Sequence, residues 1–483
     1  MNVDFTLLTP EFALAGTGFF VLLVDMVLPA SLAHRRNELT AASAALGLAA
    51  VFVVALATQW DTNEFIYDRL IFIDTYSLLF KALFTATGFA VVLMSYDYVK
   101  RKMHHPGEYY AMVVFAVLGA TLMAEAGELL TAFIAIELLS FSLYVLVGLA
   151  RGDKRSAEAS AKYILLGAIS TAVMLYGISQ LFGTLGTTVF RDMDVGLRNG
   201  FNLTVLTGFV MFIGGLGFKL SMVPFHMWVP DVYEGAPTPV TALIAVLSKA
   251  AAVALALRFL AEAGRLAVDE WQLPLAILAA ATMSIGALSA LAQTNIKRLL
   301  AYSSIAQVGF VLIGVIALTE QAANAALLHL IGYAFTNLAA FMVVIVVETR
   351  TGREEIADYA GLSQRSPLLA MVMTGALFSL AGLPIFAGFI TKFYLFTAVY
   401  GADLKWLVVI AVINSVISLY YYLRIVREMY INDPADSSRL ALPALSWLTL
   451  WLLFAGTIAV GIYPGPWVDM IDAATNVLGP FVG

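Results

Sequence analysis

The sequence predicts an all-α integral membrane protein of about fourteen transmembrane helices, and three observations predict it. Hydrophobic residues make up 61% of the 483, charged residues only 12%, and the apolar residues come in runs separated by short polar stretches. A mean hydropathy of +0.88 leaves too few polar side chains to cover a soluble domain. The net charge of −6 is small for this length and thinly spread, which argues against nucleic acid or an anionic membrane surface as a partner. The absence of cysteine excludes disulfides, thiolate nucleophiles, thiolate-held zinc and cysteine-ligated iron–sulfur clusters. The opening stretch MNVDFTLLTPEF has no basic segment and no small-residue cleavage site, so the first apolar run reads as a retained span.

A bilayer core takes roughly 20 apolar residues per helix. Such runs fall near 11–30, 40–58, 74–96, 109–124, 129–149, 160–185, 204–229, 239–260, 272–292, 297–318, 324–347, 368–400, 406–427 and 443–463. The first three form an N-terminal segment, 1–105. Five occupy 106–262, five more occupy 263–430, and the last lies in 431–483. Runs 204–229 and 368–400 exceed one straight span and contain internal Pro or Gly, so both read as interrupted helices. Pro224 removes a backbone donor and clashes with the preceding turn, and Gly382, Pro384 and Gly388 loosen SLAGLPIFAGFITKF in a similar way. Freed backbone groups at membrane depth must face protein or a wet cavity. Each five-helix unit holds one interrupted helix with a lysine. Five is odd, so the units enter the membrane from opposite sides, the pattern of inverted repeats with sites between discontinuous helices.

Orientation follows from the 27 lysines and arginines. If odd-numbered spans run inward, sixteen of these cations fall on inner loops and six, including Arg258, on outer loops and helix ends. The positive-inside rule then puts both termini outside. Five cations remain within spans: Lys81, Lys162, Lys219, Lys249 and Lys392. None is an arginine. An anchoring role would admit either residue, whereas a proton relay needs an amine, because guanidinium keeps its proton.

Glu137 belongs with them. It lies nine residues past Glu128 and fourteen before Arg151, which at ~1.5 Å per residue puts it near the bilayer midplane. Lys249, ten residues after Pro239 and nine before Arg258, is equally central, and Lys392 follows the second helix break. Each such charge costs about 2.5–3.5 kcal/mol on insertion scales, so several at one depth need pairing, water or neutralisation. A row of them suggests a path.

Plainer readings stand beside this one. Lys81, near a helix start, fits a snorkelling cation as well as a path member. Lys162 follows Glu158 at i,i+4 and could form a surface pair, although a place on the path is preferred. Glu137 and Lys219 could be a static pair that fixes register. His226 in PFHMW is assigned to the freed carbonyls of the break, and Asp25 to a peripheral cap. His329, mid-run with Thr336 and Asn337 on the same helix, is assigned to the relay.

The stretches KLSMVPFHMWVPDVYEGAPTPVTALIAVLSKAAA, QTNIKRLLAYSSIAQVGFVLIG and SLAGLPIFAGFITKFYLF closely resemble the antiporter-like subunits of proton-pumping NADH:quinone oxidoreductase, respiratory complex I. The likeness covers nearly the whole chain. PDVYEGAPTPVTA is the form found in the N-type branch, the lysine at 392 is unlike the glutamate of the M-type branch, and the long lateral helix of the L-type branch is not seen. The resemblance implies an ion pair of Glu137 with Lys219, a lysine on the sixth helix at Lys162, a central lysine at Lys249 and a terminal one at Lys392. Many relatives carry a histidine where this chain has Gln307, so no titratable group is needed there.

The implied function is that of a membrane-arm subunit that translocates protons through a midplane file of Glu and Lys residues. NADH oxidation and quinone reduction would occur in partner subunits, which would hold the NAD, FMN, iron–sulfur clusters and quinone, with no cofactor in this chain. Expected partners are neighbouring antiporter-like subunits, the lateral helix of the L-type subunit and lipids, in a bacterial cytoplasmic (inner) membrane. A subunit of a multisubunit cation/proton antiporter is the alternative reading.

Overall fold

The computed structural model describes residues 4–150, 152–197, 201–434, 436, 438–479 and 481. Arg151 and Arg198, both counted in the charge asymmetry, and the two chain ends lie outside the described residues. The chain begins with α1 (Thr9–Val27), α2 (Arg36–Gln59), α3 (Thr75–Lys102), α4 (Pro106–Glu125), α5 (Leu129–Val147) and α6 (Lys154–Leu185). A short α7 (Phe190–Gly196) leads to α8 (Leu203–Leu220) and α9 (Trp228–Gly235). Next, α10 (Thr238–Leu243) passes through one π turn, Ile244–Ser248, into α11 (Lys249–Glu262). There follow α12 (Val268–Ala290), α13 (Ile296–Ala317), α14 (Glu320–Thr351), the single turn α15 (Leu362–Arg365), α16 (Pro367–Ala381) and α17 (Ala387–Gly401). The last are α18 (Lys405–Tyr430), α19 (Ala444–Ile462) and α20 (Gly465–Thr475).

Among the described residues, thirteen helices are long and apolar enough to cross a membrane. The remaining expected crossing is divided between α16 and α17, 15 residues each. The architecture is the expected all-α membrane fold, with one unexpected element. After α2, a small antiparallel hairpin pairs β1 (Glu64–Ile66) with β2 (Ile71–Ile73). Strands of three residues are too short to show an alternating pattern.

The ends of the bundle differ in charge. Glu354 receives Lys297 at 3.2 Å and Arg155 at 3.8 Å, gathering the starts of α6 and α13 and the segment after α14 at one basic end. At the opposite end, Asp74 caps α3 in a reciprocal box with Ser77 and takes a two-pronged bond from Arg258, at 2.8 and 2.9 Å. Arg258, read from the sequence as a cation at an outer helix end, does lie in the last turns of α11, but it is fully buried there, held by a carboxylate whose geometry matches its fork. Of the two readings of Lys81, snorkelling is corrected: the residue is fully buried among Glu11, Gln59 and Glu125. Asp25 does act peripherally, pairing with Arg36 at 3.3 Å.

The centre of the bundle is the span Thr238–Glu262, with α13 and α14 around it. The most apolar stretch of that span is 100% buried, against 28% for α6. The exposed faces of the outer helices carry large apolar side chains such as Phe19, Leu165 and Val416, as a surface against lipid or other subunits requires.

Both interruptions are stitched in place. Helix α8 stops at Leu220 because Ser221 adopts a left-handed conformation (φ 64°), three residues before the proline expected to cause the break. The Phe218 carbonyl accepts from Ser221 N–H at 3.1 Å and from Trp228 Nε1 at 3.0 Å, and Val223 N–H donates to Thr282 Oγ1 at 3.0 Å. At the second break, Gly382 is left-handed (φ 90°) and Gly388 N–H donates to Ser379 Oγ at 3.0 Å. A Cβ at Gly388 would lie 1.7 Å from the Ser379 carbonyl oxygen, so the two half-helices meet closely enough to exclude any side chain there. Gly388→Ala should therefore cost about 3 kcal/mol or more, at the upper end of overpacking effects. Gly183→Ala, where nothing lies within 4 Å, should be near neutral. Thermal unfolding of the solubilised complex carrying each variant checks the contrast.

Candidate functional site

Four of the lysines singled out in the sequence lie in the protein interior, and three of them, Lys219, Lys249 and Lys392, form no ion pair among the described residues. Lys219, in the last turn of α8, is 1% exposed. Its Nζ has no hydrogen-bond partner among the described residues and lies over the rings of Tyr144 and Tyr163, both at 5.4 Å, and Phe218 at 5.8 Å. Aromatic faces attract a desolvated ammonium by about 2 kcal/mol without offering it a base. Trp228, at the start of α9, stacks on Tyr163 with centroids 4.5 Å apart, so the side chain that closes the α8 break also builds the wall of this cage. Glu137 on α5 is half-buried, with Oε1 lacking a partner. No hydrogen bond or ion pair joins it to Lys219 among the described residues, but the two lie close enough for each charge to act on the other. The hydroxyls of Tyr144, Tyr163, Ser221 and Ser248 are buried without a well-aligned hydrogen bond among the described residues, although Tyr144 lies near Ser140 and Tyr163 near Ser248.

Lys249 is the first residue after the π turn of the central span, and its Nζ bonds to Ser304 Oγ on α13. Tyr333 on α14 donates to the same Ser304 Oγ at 3.1 Å, and Tyr233 on α9 lies 3.4 Å from it. The Tyr233 ring also stands 5.6 Å from the lysine nitrogen. A hydroxyl can accept from an ammonium or donate to a neutral amine, so this surrounding accommodates either form.

One turn back from Tyr333, His329 is gripped on both sides. Nε2 is 3.1 Å from Gln307 Oε1 and Nδ1 is 2.9 Å from Thr391 Oγ1. Gln307 Nε2 donates to the Leu380 carbonyl at 3.0 Å, which fixes the amide orientation because a carbonyl only accepts. His329 Nε2 must then carry a proton, and its Nδ1 can accept one from Thr391. The Leu380 carbonyl also accepts from Lys392 Nζ at 2.8 Å. Lys392 further donates to Ser415 Oγ at 3.1 Å, contacts the Ala381 carbonyl at 3.4 Å and sits 4.6 Å from the centre of the Phe310 ring. It thus rests on the carbonyl end of α16, where helix ends carry partial negative charge.

Lys162 stands elsewhere. It pairs with Glu158 at 2.9 Å and Asp231 at 2.7 Å, and Arg298 joins Asp231 and Glu234 at 2.9 and 2.8 Å. Together they line a cavity of about 270 Å³ at the basic end. His226 is buried at the first break with Nδ1 unpartnered.

The sequence reading found the lysines, Glu137 and His329. It missed Ser304, Tyr233, Tyr333, Thr391 and Ser415, which surround Lys249, His329 and Lys392. The available signal was polar residues at helical spacing within apolar helices: Ser303, Ser304 and Gln307 on α13, and His329 and Tyr333 on α14.

The chain is similar to known proteins over most of its length. Residues 126–418 match the transmembrane family described as NADH:quinone oxidoreductase/Mrp antiporter. The NADH-quinone oxidoreductase subunit N of Desulforamulus reducens is 40% identical over 477 residues, covering 99% of each chain. A chain in respiratory complex I from Thermus thermophilus superposes with a TM-score of 0.81 at 30% identity, over 96% of this chain and 100% of that one. A chain of the Mrp complex from Dietzia sp. DQ12-45-1b reaches a TM-score of 0.85 at 21% identity, over 97% and 98% of the two chains, a likeness of fold alone.

The basic-end cluster makes a pH-dependent prediction. Burial disfavours the Asp231 charge, but hydrogen bonds from Lys162 and Arg298, together with their charges, outweigh it and hold the carboxyl below its ordinary value. A carboxyl depressed in the folded state stabilises above its unfolded value of about 3.9 and loses that contribution as the pH falls through the folded value. The difference in melting temperature between wild type and Asp231→Asn should therefore be level from neutrality to about pH 5 and shrink below about pH 4. A difference that widens on acidification would contradict this.

Proposed function

This chain belongs to the NADH:quinone oxidoreductase/Mrp antiporter family, and on that premise we propose that protons cross it along Lys219, Lys249, His329 and Lys392. Its relatives make it a proton-translocating membrane subunit of an NADH-quinone oxidoreductase, built as a multi-pass membrane protein. One observation carries the path. Lys219, Lys249 and Lys392 are each buried within the spans without an ion pair among the described residues, whereas Lys81, Arg258 and Lys297 are buried and tied to acids.

On this reading each lysine is a station that can hold or release a proton. The buried hydroxyls of Tyr144, Tyr163, Ser221 and Ser248 suit water as the carrier between Lys219 and Lys249, since buried polar groups without well-aligned protein partners are commonly hydrated. From Lys249 the hydroxyls of Ser304 and Tyr333 lead towards His329. His329, Gln307 and the Leu380 carbonyl then lead to Lys392. Glu137 governs the first station from a distance: drawn towards Lys219 it favours the ammonium, and moved away it favours release. Lys162 serves the basic end, where its cavity meets water, rather than the midplane file.

The finer assignments belong to the same proposal. The basic end faces the cytoplasm and both termini lie outside, as the positive-inside rule directs. Segments 106–262 and 263–430 act as inverted units, supported by one interrupted helix in each. Other complex I membrane subunits are the partners, with neighbouring antiporter-like subunits and the lateral helix of the L-type subunit against the apolar flanks. NAD, FMN, iron–sulfur clusters and quinone belong to those partners.

Lys→Arg substitution tests the stations, because arginine keeps both charge and reach but not the exchangeable proton. Lys249→Arg and Lys392→Arg should each lower proton pumping roughly tenfold or more, a barrier rise of at least about 1.4 kcal/mol, with assembly retained. Pumping is measured alongside NADH-driven quinone reduction in membranes. Wild-type rates in both variants would mean that these lysines carry fixed charge only. Sodium-dependent rather than proton-dependent transport would favour the cation-antiporter reading.

A further inference from the structure

A second buried charge cluster lies outside the lysine file, at the opposite end of the four N-terminal helices. Lys81 of α3 is completely buried. Its ammonium bonds to Glu11 of α1, lies 2.7 Å from Glu125 of α4 and donates to Gln59 Oε1 of α2. Every helix of this bundle thus contributes one polar group. Gln59 is oriented by its other end, Nε2 donating to the Leu7 carbonyl at 2.7 Å, so it offers the lysine only an acceptor. Glu125 is 0% and Glu11 6% exposed, and each keeps an Oε2 with no hydrogen-bond partner.

The charges do not balance. Two carboxylates face one ammonium, in a site that no other cation enters among the described residues. The neighbouring cluster is a control within the same molecule. There Asp74 and Glu262 meet Arg258 and Arg191, two acids against two permanent cations, and Arg258 Nε donates to the Ala124 carbonyl at 3.0 Å, next to Glu125. That cluster is neutral with every group ionised. The Lys81 cluster reaches neutrality only by taking up one proton, and its unpartnered carboxylate oxygens supply the acceptors.

We infer that Glu11, Lys81 and Glu125 form a proton-binding site, separate from the lysine file, in which the two carboxyls share one exchangeable proton. Exchange reaches it through Glu11, which sits in the first turn of α1 and alone of the three keeps any exposure. The site is independent of whether the lysine file conducts.

Infrared difference spectra of the assembled complex in membranes, in H₂O and D₂O, test the site through the carbonyl stretch of a protonated carboxyl. Glu11→Gln and Glu125→Gln each leave one acid opposite one ammonium, so each should lose one deuterium-sensitive carboxylic-acid band. Lys81→Gln shifts the charge the other way and should gain one. Loss of the band in only one glutamine variant would identify a fixed acid and overturn the shared site. Survival of the band in both, or no gain in Lys81→Gln, would overturn it as well. The Lys81→Gln measurement stands alone where a glutamine variant fails to assemble.

Discussion

A cation in the hydrocarbon region must be matched by an acid or be free to lose its charge, and this constraint sorts the buried cations of the bundle into two kinds. Arg258 is locked to Asp74, Lys81 to Glu11 and Glu125, and Lys297 to Glu354. Removing either partner of such a pair would strand a charge, so these contacts hold helices in register. Lys219, Lys249 and Lys392 form no ion pair among the described residues and meet hydroxyls, carbonyls and ring faces instead. Those groups tolerate the ammonium without binding it irreversibly.

The helix interruptions follow from the same constraint. A continuous helix has no spare carbonyl at mid-membrane, because every one is occupied four residues on. Ending α16 at Ala381 and restarting at Ala387 frees the Leu380 and Ala381 carbonyls, and Lys392 lies on both. Glycine at 388 lets the halves approach closely enough for that geometry. At the first break the freed carbonyls are instead taken up by Ser221, Met222 and Trp228. Lys219 is consequently left to its aromatic cage. The two breaks are alike in sequence and differ in what they give their lysines.

The spans, both interruptions and the lysines of the file were legible in the sequence because apolar length and isolated charge are local signals. What was not legible depends on which helices meet. Lys81 reads equally as a snorkelling cation or a path member because its acids are 70 residues before it and 44 after it, on helices that only the fold brings together. The burial and pairing of Arg258 at its helix end were not legible because its partner, Asp74, is 184 residues away. Glu137 and Lys219 act on each other electrostatically, as the resemblance implies, but form no direct ion pair among the described residues, and the rings of Tyr144 and Tyr163 that lie beside the lysine nitrogen carried no signal in the sequence. The hydroxyl cluster of Ser304 and Tyr333 was hidden for another reason: serine and tyrosine are ordinary residues in an apolar helix, and only their convergence on Lys249 distinguishes them.

The central claim is that a lysine of the file conducts because it lacks a carboxylate partner, and it is tested most directly by supplying one. Ser304 already bonds the Lys249 nitrogen, so Ser304→Asp places an acid beside it with little change in reach. Proton pumping by the assembled complex, measured per NADH oxidised, should collapse as Lys249 becomes a fixed ion pair of the Arg258 kind. Pumping at the wild-type ratio with the complex fully assembled would contradict the account.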